Sequence, residues 1–487
     1  MLTNSQNFPE QFSAPLPVNA KQRSFARIGA MTLGTAIQRH LKNEKASFHT
    51  PGHKGRDLAK SGESLLQADL TELPGLDELA NPEGVLLDLE ARAARLWGAA
   101  NSVISVNGAS AGIIAAMLTL TTERKKFLVP RNAHRSVINA MVIGGIEPIW
   151  YEPVWDARWG TWGAVSPVSA RQVLSTCKAS EVAGMLVVSP TYTGAVSDIA
   201  SIADSCHFRD IPLLVDEAHG AHFLPDACAP SSAVTCGADL TVHSLHKTLS
   251  GMTQTGMVHI GESPVFKIDV ELLRAHLNLV QSSSPSYPLL LSIEQTIGLL
   301  ETSGKNLLAH LPHLRGRLED SLSDCNRFEF FNSRFETDPL HIFIAARGAK
   351  AEELFGFCVE RGVFPEAILG RGVLFLMGIG TITEDVADLA KVLVDFHAHH
   401  PESGSLANEG VWHFTEIEQV ISPRQAFMSP SQVVPVHEAV GRIAAECVAP
   451  CPPGIPVCVP GQRIHPEVMN LTSVKNLRVV REQLISE

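Results

Sequence analysis

Asp239–Gly261 reads DLTVHSLHKTLSGMTQTGMVHIG: two short apolar runs, DLTVHS and GMVHIG, flank a segment of hydroxyls and glycines that carries a single lysine, Lys247. No acidic residue between Ser244 and Gly256 can pair with that ammonium. A strongly hydrated cation without a partner is costly to bury. Either Lys247 snorkels to water, or its nitrogen is held neutral or covalently engaged.

The same layout recurs upstream. VISVNG (103–108) leads into helix-like SAGIIAAMLTLTT, and KFLVP (126–130) is followed by SVINAMVIGG. EPIWYEP, GMLVVSP and IPLLVDEA come next, most of them separated by segments of helix length. Strands this uniformly apolar are buried on both faces, so the alternation predicts an α/β fold with a mainly parallel sheet wrapped by helices. Farther on, PLHIFIAA, AKAEELFGFCVERG, GVLFLMGIG and TEDVADLAKVLVDFHAHH read as strand, helix, strand, helix, which suits a smaller α/β layer. HPESGSLANEG is a polar break, and CVAPCPPGIPVCVPGQRI is too rich in proline for a helix or a central strand. It is expected as an ordered loop packed near the site. The expected division is an N-terminal arm (1–45), a large domain (46–310) and a C-terminal small domain (311–487).

At 487 residues, with 45% hydrophobic and 18% charged residues, the chain can bury a large core and form more than one domain. Lys plus Arg total 39 against 51 Asp plus Glu, a net charge of −12 without a long basic run. Nucleic acid and anionic membrane surfaces are therefore not the expected partners. The polar N-terminus lacks the layout of a signal peptide, and no apolar run is long enough to cross a bilayer, so a cytoplasmic location is expected. The nine cysteines contain no C-x-x-C pair. Cys447, Cys451 and Cys458 match no zinc spacing, so free thiols and no metal are expected.

In parallel-sheet proteins ligands sit beyond the carboxyl ends of the strands, so residues at those ends should carry the chemistry. IPLLVDEAHGAH delivers Asp216, Glu217 and His219 there; DLTVHS delivers Ser244, His246 and Lys247. VISVNG delivers Gly108, Ala109 and Ser110 to a helix start, where free amides and the helix dipole favour a phosphate. Each feature alone has an ordinary structural explanation: a strand-end carboxylate often caps a helix, and serine is a common N-cap. Together they are what pyridoxal 5'-phosphate requires: a lysine able to bond its aldehyde, a buried carboxylate able to keep its ring nitrogen protonated, and a phosphate cradle. On this reading Lys247 is attached to the cofactor, Asp216 faces the pyridine nitrogen, and His134 in RNAHRS stacks over the ring.

The motifs SFHTPGHKG, DLTELPGLDEL, RNAHRSV, SPTYTGAVSDI, VDEAHGAH, ADLTVHSLHKTLSGMTQTG and CPPGIPVCVPG are similar, in order, to the signatures of the ornithine/lysine/arginine decarboxylase family in its short bacterial form. The resemblance runs from about residue 45 to the C-terminus. It implies the aspartate aminotransferase-like fold of the type I pyridoxal-phosphate enzymes and decarboxylation of a basic amino acid, lysine or arginine ahead of ornithine. It also implies roles for single residues. Lys247 matches the cofactor-bonding lysine, Asp216 the pyridine-nitrogen partner and His134 the stacking histidine. Ser110 and Ser244 match phosphate contacts, helped by the backbone of Ala109, and Ala218 lies beneath the ring. His219 joins the cofactor-binding set, and His246, beside the lysine, is a candidate proton donor, as is Lys247 itself. QSSSPSY resembles a segment reaching the neighbouring subunit's phosphate, which makes Ser282 the candidate to act in trans. Shared sites of that kind imply a homodimer or a dimer of dimers.

Three departures bear on the substrate. Cys451 stands where the family commonly has tyrosine, Gln462 where it has glutamate, and Thr193 where a second tyrosine is frequent. A lost carboxylate matters if that position attracts a cationic side chain; Glu72, Asp77 or Glu78 either compensate for it or belong to a solvated loop. Two other readings stay open: another pyridoxal-phosphate reaction, such as aminotransfer or α-oxoamine synthesis, and a cofactor-binding protein with little catalysis and a regulatory or assembly role.

Overall fold

The short apolar runs pair as one seven-stranded sheet made of β1 (Asn101–Ser105), β2 (Lys126–Pro130), β3 (Glu147–Tyr151), β4 (Val182–Val188), β5 (Leu213–Asp216), β6 (Leu240–Ser244) and β7 (Gly256–Ile260). The computed structural model describes residues 43, 45–48, 52, 70–72, 76–225, 230–263, 265–332, 335–400, 418–449, 454–471 and 474–481. Nearly all of the expected N-terminal arm, most of SFHTPGHKG, the polar break after His400 and Cys451 lie outside the described residues.

The spatial order is β1-β7-β6-β5-β4-β2-β3. β6, β5, β4, β2 and β3 form successive parallel pairs, and β7 alone is antiparallel to its neighbours. The cause is chain length. Only residues 245–255 join β6 to β7, fewer than the roughly dozen residues a parallel crossover needs, so the strand must turn back. Lys247 is thereby kept at the carboxyl edge of the parallel strands.

Helix α1 (Val85–Trp97) buries one face, whereas α2 (Gly108–Leu120) is apolar all round. α2 can be so because it shares one core with Val103, Val242 and Val258 of the sheet and Val137 and Met141 of α3 (Arg135–Gly144). A 35-residue helix, α4 (Tyr287–Ser321), runs through position 310 and contributes Leu290, Ile297, Leu311 and Leu318 to a second core.

That second core continues into a four-stranded antiparallel sheet, β8 (Phe328–Phe330), β9 (His341–Ala346), β10 (Ala367–Leu369) and β11 (Gly372–Leu376), in the order β8-β9-β11-β10. Toward the C-terminus, Ser431–Pro435 pairs with Asn476–Val480. This C-terminal segment brackets α3: Arg424 donates to the carbonyls of Val142 and Ile143 at one end, and the Gly454 carbonyl accepts from Arg135 N–H (3.0 Å) at the other. No helix among the described residues is long and apolar enough to cross a membrane.

Candidate active site

The carboxyl ends of β1, β2, β4, β5 and β6 surround a cavity of about 360 Å³. Its wall contains Ala109, Ser110, His134, Asp216, Ala218, His219, Ser244, His246 and Lys247. Ser282 lies apart from this wall; it is exposed, and its hydroxyl accepts from the Ser284 N–H at 3.2 Å.

One end of the cavity is built for an anion. α2 begins at Gly108 directly after β1, and no side chain caps its first turn. The Gly108 N–H is taken by the Gln254 carbonyl (2.8 Å), which leaves the amides of Ala109 and Ser110 at the positive end of a 13-residue helix. Ser244 Oγ, from the end of β6, is 3.0 Å from His246 Nδ1, so a hydroxyl and an imidazole face the cavity as one unit.

The middle is governed by charge. Asp216 closes β5 between Val188 and Val242 and is 6% exposed. Burial pushes its pKa up; Lys247 and the Ala218 N–H, which donates to Oδ1 at 3.2 Å, work against that rise without cancelling it. An isolated buried carboxylate carries a penalty of several kcal/mol. A protonated ring nitrogen set against Asp216 would supply the cation that the protein only partly provides.

Lys247 sits in the single-turn helix Leu245–Thr248. The main chain clamps this turn: Gly52 N–H donates to the His246 carbonyl, and Ile379 N–H donates to the Thr248 carbonyl (2.9 Å). A Cβ at position 52 would stand 2.4 Å from the Leu249 carbonyl oxygen, so only glycine permits this approach.

His134 is the N-cap of α3; its Nδ1 accepts from the Ser136 N–H (3.2 Å) and lies 2.9 Å from Ser136 Oγ. Burial, then the charges of Lys247 and Arg135, pull its pKa down to about 4, so the ring is neutral near pH 7. Gly454, from the proline-rich segment, backs the ring. With φ +79°, it would bring a Cβ to 3.0 Å from His134 Nε2.

Tyr192 is a cavity residue that the strand-end reasoning passed over, although it follows β4 in SPTYTG as Asp216 closes β5. Its ring centroid is 5.7 Å from Lys247 Nζ and 4.8 Å from the His219 ring. Thr193, one of the departures, is turned away and buried, 3.1 Å from Thr191 Oγ1.

Two residues that bear on the substrate are engaged by nearby main chain. Asp77 does not stand ready to attract a cation: its carboxylate accepts the N–H groups of Glu78, Glu83, Gly84 and Leu86, anchoring the start of α1. Burial raises its pKa, but those four donors outweigh burial and hold it below the usual range. Gln462 is 1% exposed, outside the cavity wall, and accepts from the Val459 N–H at 3.1 Å. Its side-chain carbonyl holds the turn at Val459, while its Nε2 is buried without a hydrogen-bond partner.

Residues 32–357 match the family profile described as Orn/Lys/Arg decarboxylase, major domain, and residues 409–483 match the Orn/Lys/Arg decarboxylase, C-terminal domain. The arginine decarboxylase of Bacillus anthracis is 30% identical over 93% of this chain and 92% of its own length. The solved structure of the lysine decarboxylase LdcF of Francisella novicida superposes with a TM-score of 0.71 at 19% identity, covering 95% of this chain and 80% of that one. The alanine–glyoxylate aminotransferase of a Nostoc species superposes with a TM-score of 0.53 at 14% identity, over 68% and 91% of the two chains.

Proposed function

The chain belongs to the Orn/Lys/Arg decarboxylase family, and from that premise we propose that this decarboxylase of a basic amino acid holds pyridoxal 5'-phosphate on Lys247 and acts on arginine. One observation carries the cofactor reading. The uncapped start of α2, the buried and under-compensated Asp216, and Lys247 line a single cavity. Those are the three attachments that a phosphorylated, aldehyde-bearing pyridine needs, so the residues fit the group. Arginine is favoured by the relative at 30% identity; lysine is the second reading, from a protein that shares the fold at 19% identity.

When bound, the cofactor supplies an electron-accepting ring that takes up the electron pair left as the substrate carboxylate departs as carbon dioxide. The protein does the rest. The Ala109 and Ser110 amides, with the Ser110 and Ser244 hydroxyls, hold the phosphate. Asp216 keeps a ring nitrogen protonated, and the neutral His134 offers a flat face rather than a competing charge. Ala218, a small residue of the cavity wall, would leave room for the ring. Lys247 Nζ or His246 returns a proton to the substrate α-carbon, and both stand on the same clamped turn.

We further infer a homodimer or dimer of dimers in which Ser282 reaches a neighbouring copy's phosphate, and a cytoplasmic location, in keeping with the free thiols of Cys177, Cys206 and Cys236. The test is carbon dioxide release and amine identification with arginine, lysine and ornithine in turn. Arginine giving agmatine fastest supports the proposal; lysine fastest replaces it by the second reading. No release from any of the three refutes decarboxylation of a basic amino acid.

A further inference from the structure

Behind the cavity wall lies a chain of buried polar groups that the reaction above does not use. His219 Nδ1 is 3.2 Å from His341 Nε2, and His341 Nδ1 is 2.8 Å from Asp338 Oδ2. Asp338 Oδ1 is 3.1 Å from His222 Nε2, and His222 Nδ1 is 3.2 Å from Thr248 Oγ1. One end of the chain is a wall residue; the other is the residue after Lys247. The centre comes from outside the large sheet, since Asp338 and His341 introduce β9. Asp338 and Thr248 are wholly buried, and His222 and His341 nearly so.

Such a chain is worthwhile only for a definite arrangement of protons. Burial would raise the Asp338 pKa, but His222 and His341 override it and hold the carboxyl well below the usual range, so Asp338 is a carboxylate. An ionised carboxylate only accepts, so the histidine nitrogens facing it carry hydrogens. The His341 Nδ1–H meets Oδ2 at an ion-pair distance, though it is not squarely aligned with it. A buried N–H without a partner is costlier than a buried lone pair, and His219 Nε2 has no partner, so the proton between the two rings is assigned to His219 Nδ1 with His341 Nε2 accepting it. His219 Nε2 is then left as a lone pair. The other groups facing His219 are Lys247 and His246 on their turn and the Tyr192 ring after β4.

We propose that Asp338, which does not itself line the cavity, is a positioning residue for the site: through His341 it fixes which ring nitrogen of His219 carries the proton, and through His222 and Thr248 it holds the turn bearing Lys247. The role deepens the decarboxylase reading and rests on it only where turnover is measured.

The experiment compares D338N and H341Q with the wild type as full-length proteins. Histidine-ring nitrogen-15 spectra are the first readout, with the His219 pair identified by its loss in H219N. The wild type should show an unprotonated Nε2, and both variants should move it toward the protonated form. In D338N, kcat should fall by about tenfold or more with KM within about twofold. Losing the carboxylate disfavours an imidazolium, so the acid limb of its kcat profile should move to lower pH. Unchanged His219 nitrogen signals in a folded variant overturn the proposal, even if turnover falls, because that fall would be merely structural. If D338N does not fold, H341Q decides by the same signals. If the wild type decarboxylates nothing, the functional reading fails while the nitrogen spectra still judge the positioning role.

Discussion

Asp216 and Glu217 are consecutive, buried carboxyl groups at the end of β5, yet they enter different surroundings. Asp216 faces the cavity with a single backbone donor and the field of Lys247. Glu217 enters a closed network: Ser232 Oγ at 2.8 Å, Ala233 N–H at 2.9 Å and His243 Nε2 at 2.7 Å. From His243 the network passes to His259 (3.0 Å) and Ser102 (2.7 Å). Although the Glu217–His243 distance is that of an ion pair, burial raises the Glu217 pKa and lowers that of His243, so a neutral acid meets a neutral imidazole. A buried carboxyl surrounded by neutral partners gives up its charge, whereas one left beside an open cavity and an ammonium still has use for a cation. Only the second kind can hold a ring nitrogen protonated.

Substitutions can break that contrast, beginning at its cationic end. Lys247→Ala should lower turnover by at least about a thousandfold and abolish the visible absorbance of lysine-bound cofactor, with circular dichroism unchanged. Normal turnover in that variant would end the assignment. Asp216→Asn should lose about 10²–10³-fold in turnover, because the charge that stabilises the electron-rich ring is gone. The melting temperature of its cofactor-free form should hold or rise, since the amide carries no buried charge. A large drop in melting temperature would instead make Asp216 a structural residue.

The histidines sharpen the contrast through pH. Burial depresses His134, His219, His243 and His259, so the unfolded chain takes up protons near pH 6.5 that the folded chain refuses. The histidines' contribution to stability is full above that pH and is lost as pH falls toward about 4, the His134 value. Melting curves between pH 7 and 4 measure this, and a flat profile would contradict it. Glu217→Gln is the smallest change. Glu217 is raised to about 8, so the folded carboxyl keeps a proton that the unfolded one releases above pH 4.5, and wild-type stability declines as pH rises through that interval. The amide removes this dependence. The variant should match the wild type at low pH, exceed its melting temperature near pH 8, and keep turnover within about twofold.

How far the sequence could be read depended on the range of the interaction. Lys247, Asp216 and Ser110 are legible because an apolar strand has a definite end, and a parallel sheet gathers those ends along one edge. Tyr192 follows β4 near the same edge but has no charge to draw notice. Whether Asp77 could compensate for the glutamate absent at position 462 depended on whether its carboxylate is free, and it is spent on nearby amides. The reversal of β7 follows from an 11-residue connection that could have been counted in advance.

The amino-acid order by itself determined the α/β alternation, the family and the residues at the strand ends, because these depend on local periodicity and on short motifs. Tertiary structure alone decided which buried groups are charged. That depends on partners such as His341, 122 positions from His219, and Glu217, 26 positions from His243. The cost of a buried charge is set by whatever the fold places within a few ångströms of it, and no spacing along the chain records that distance.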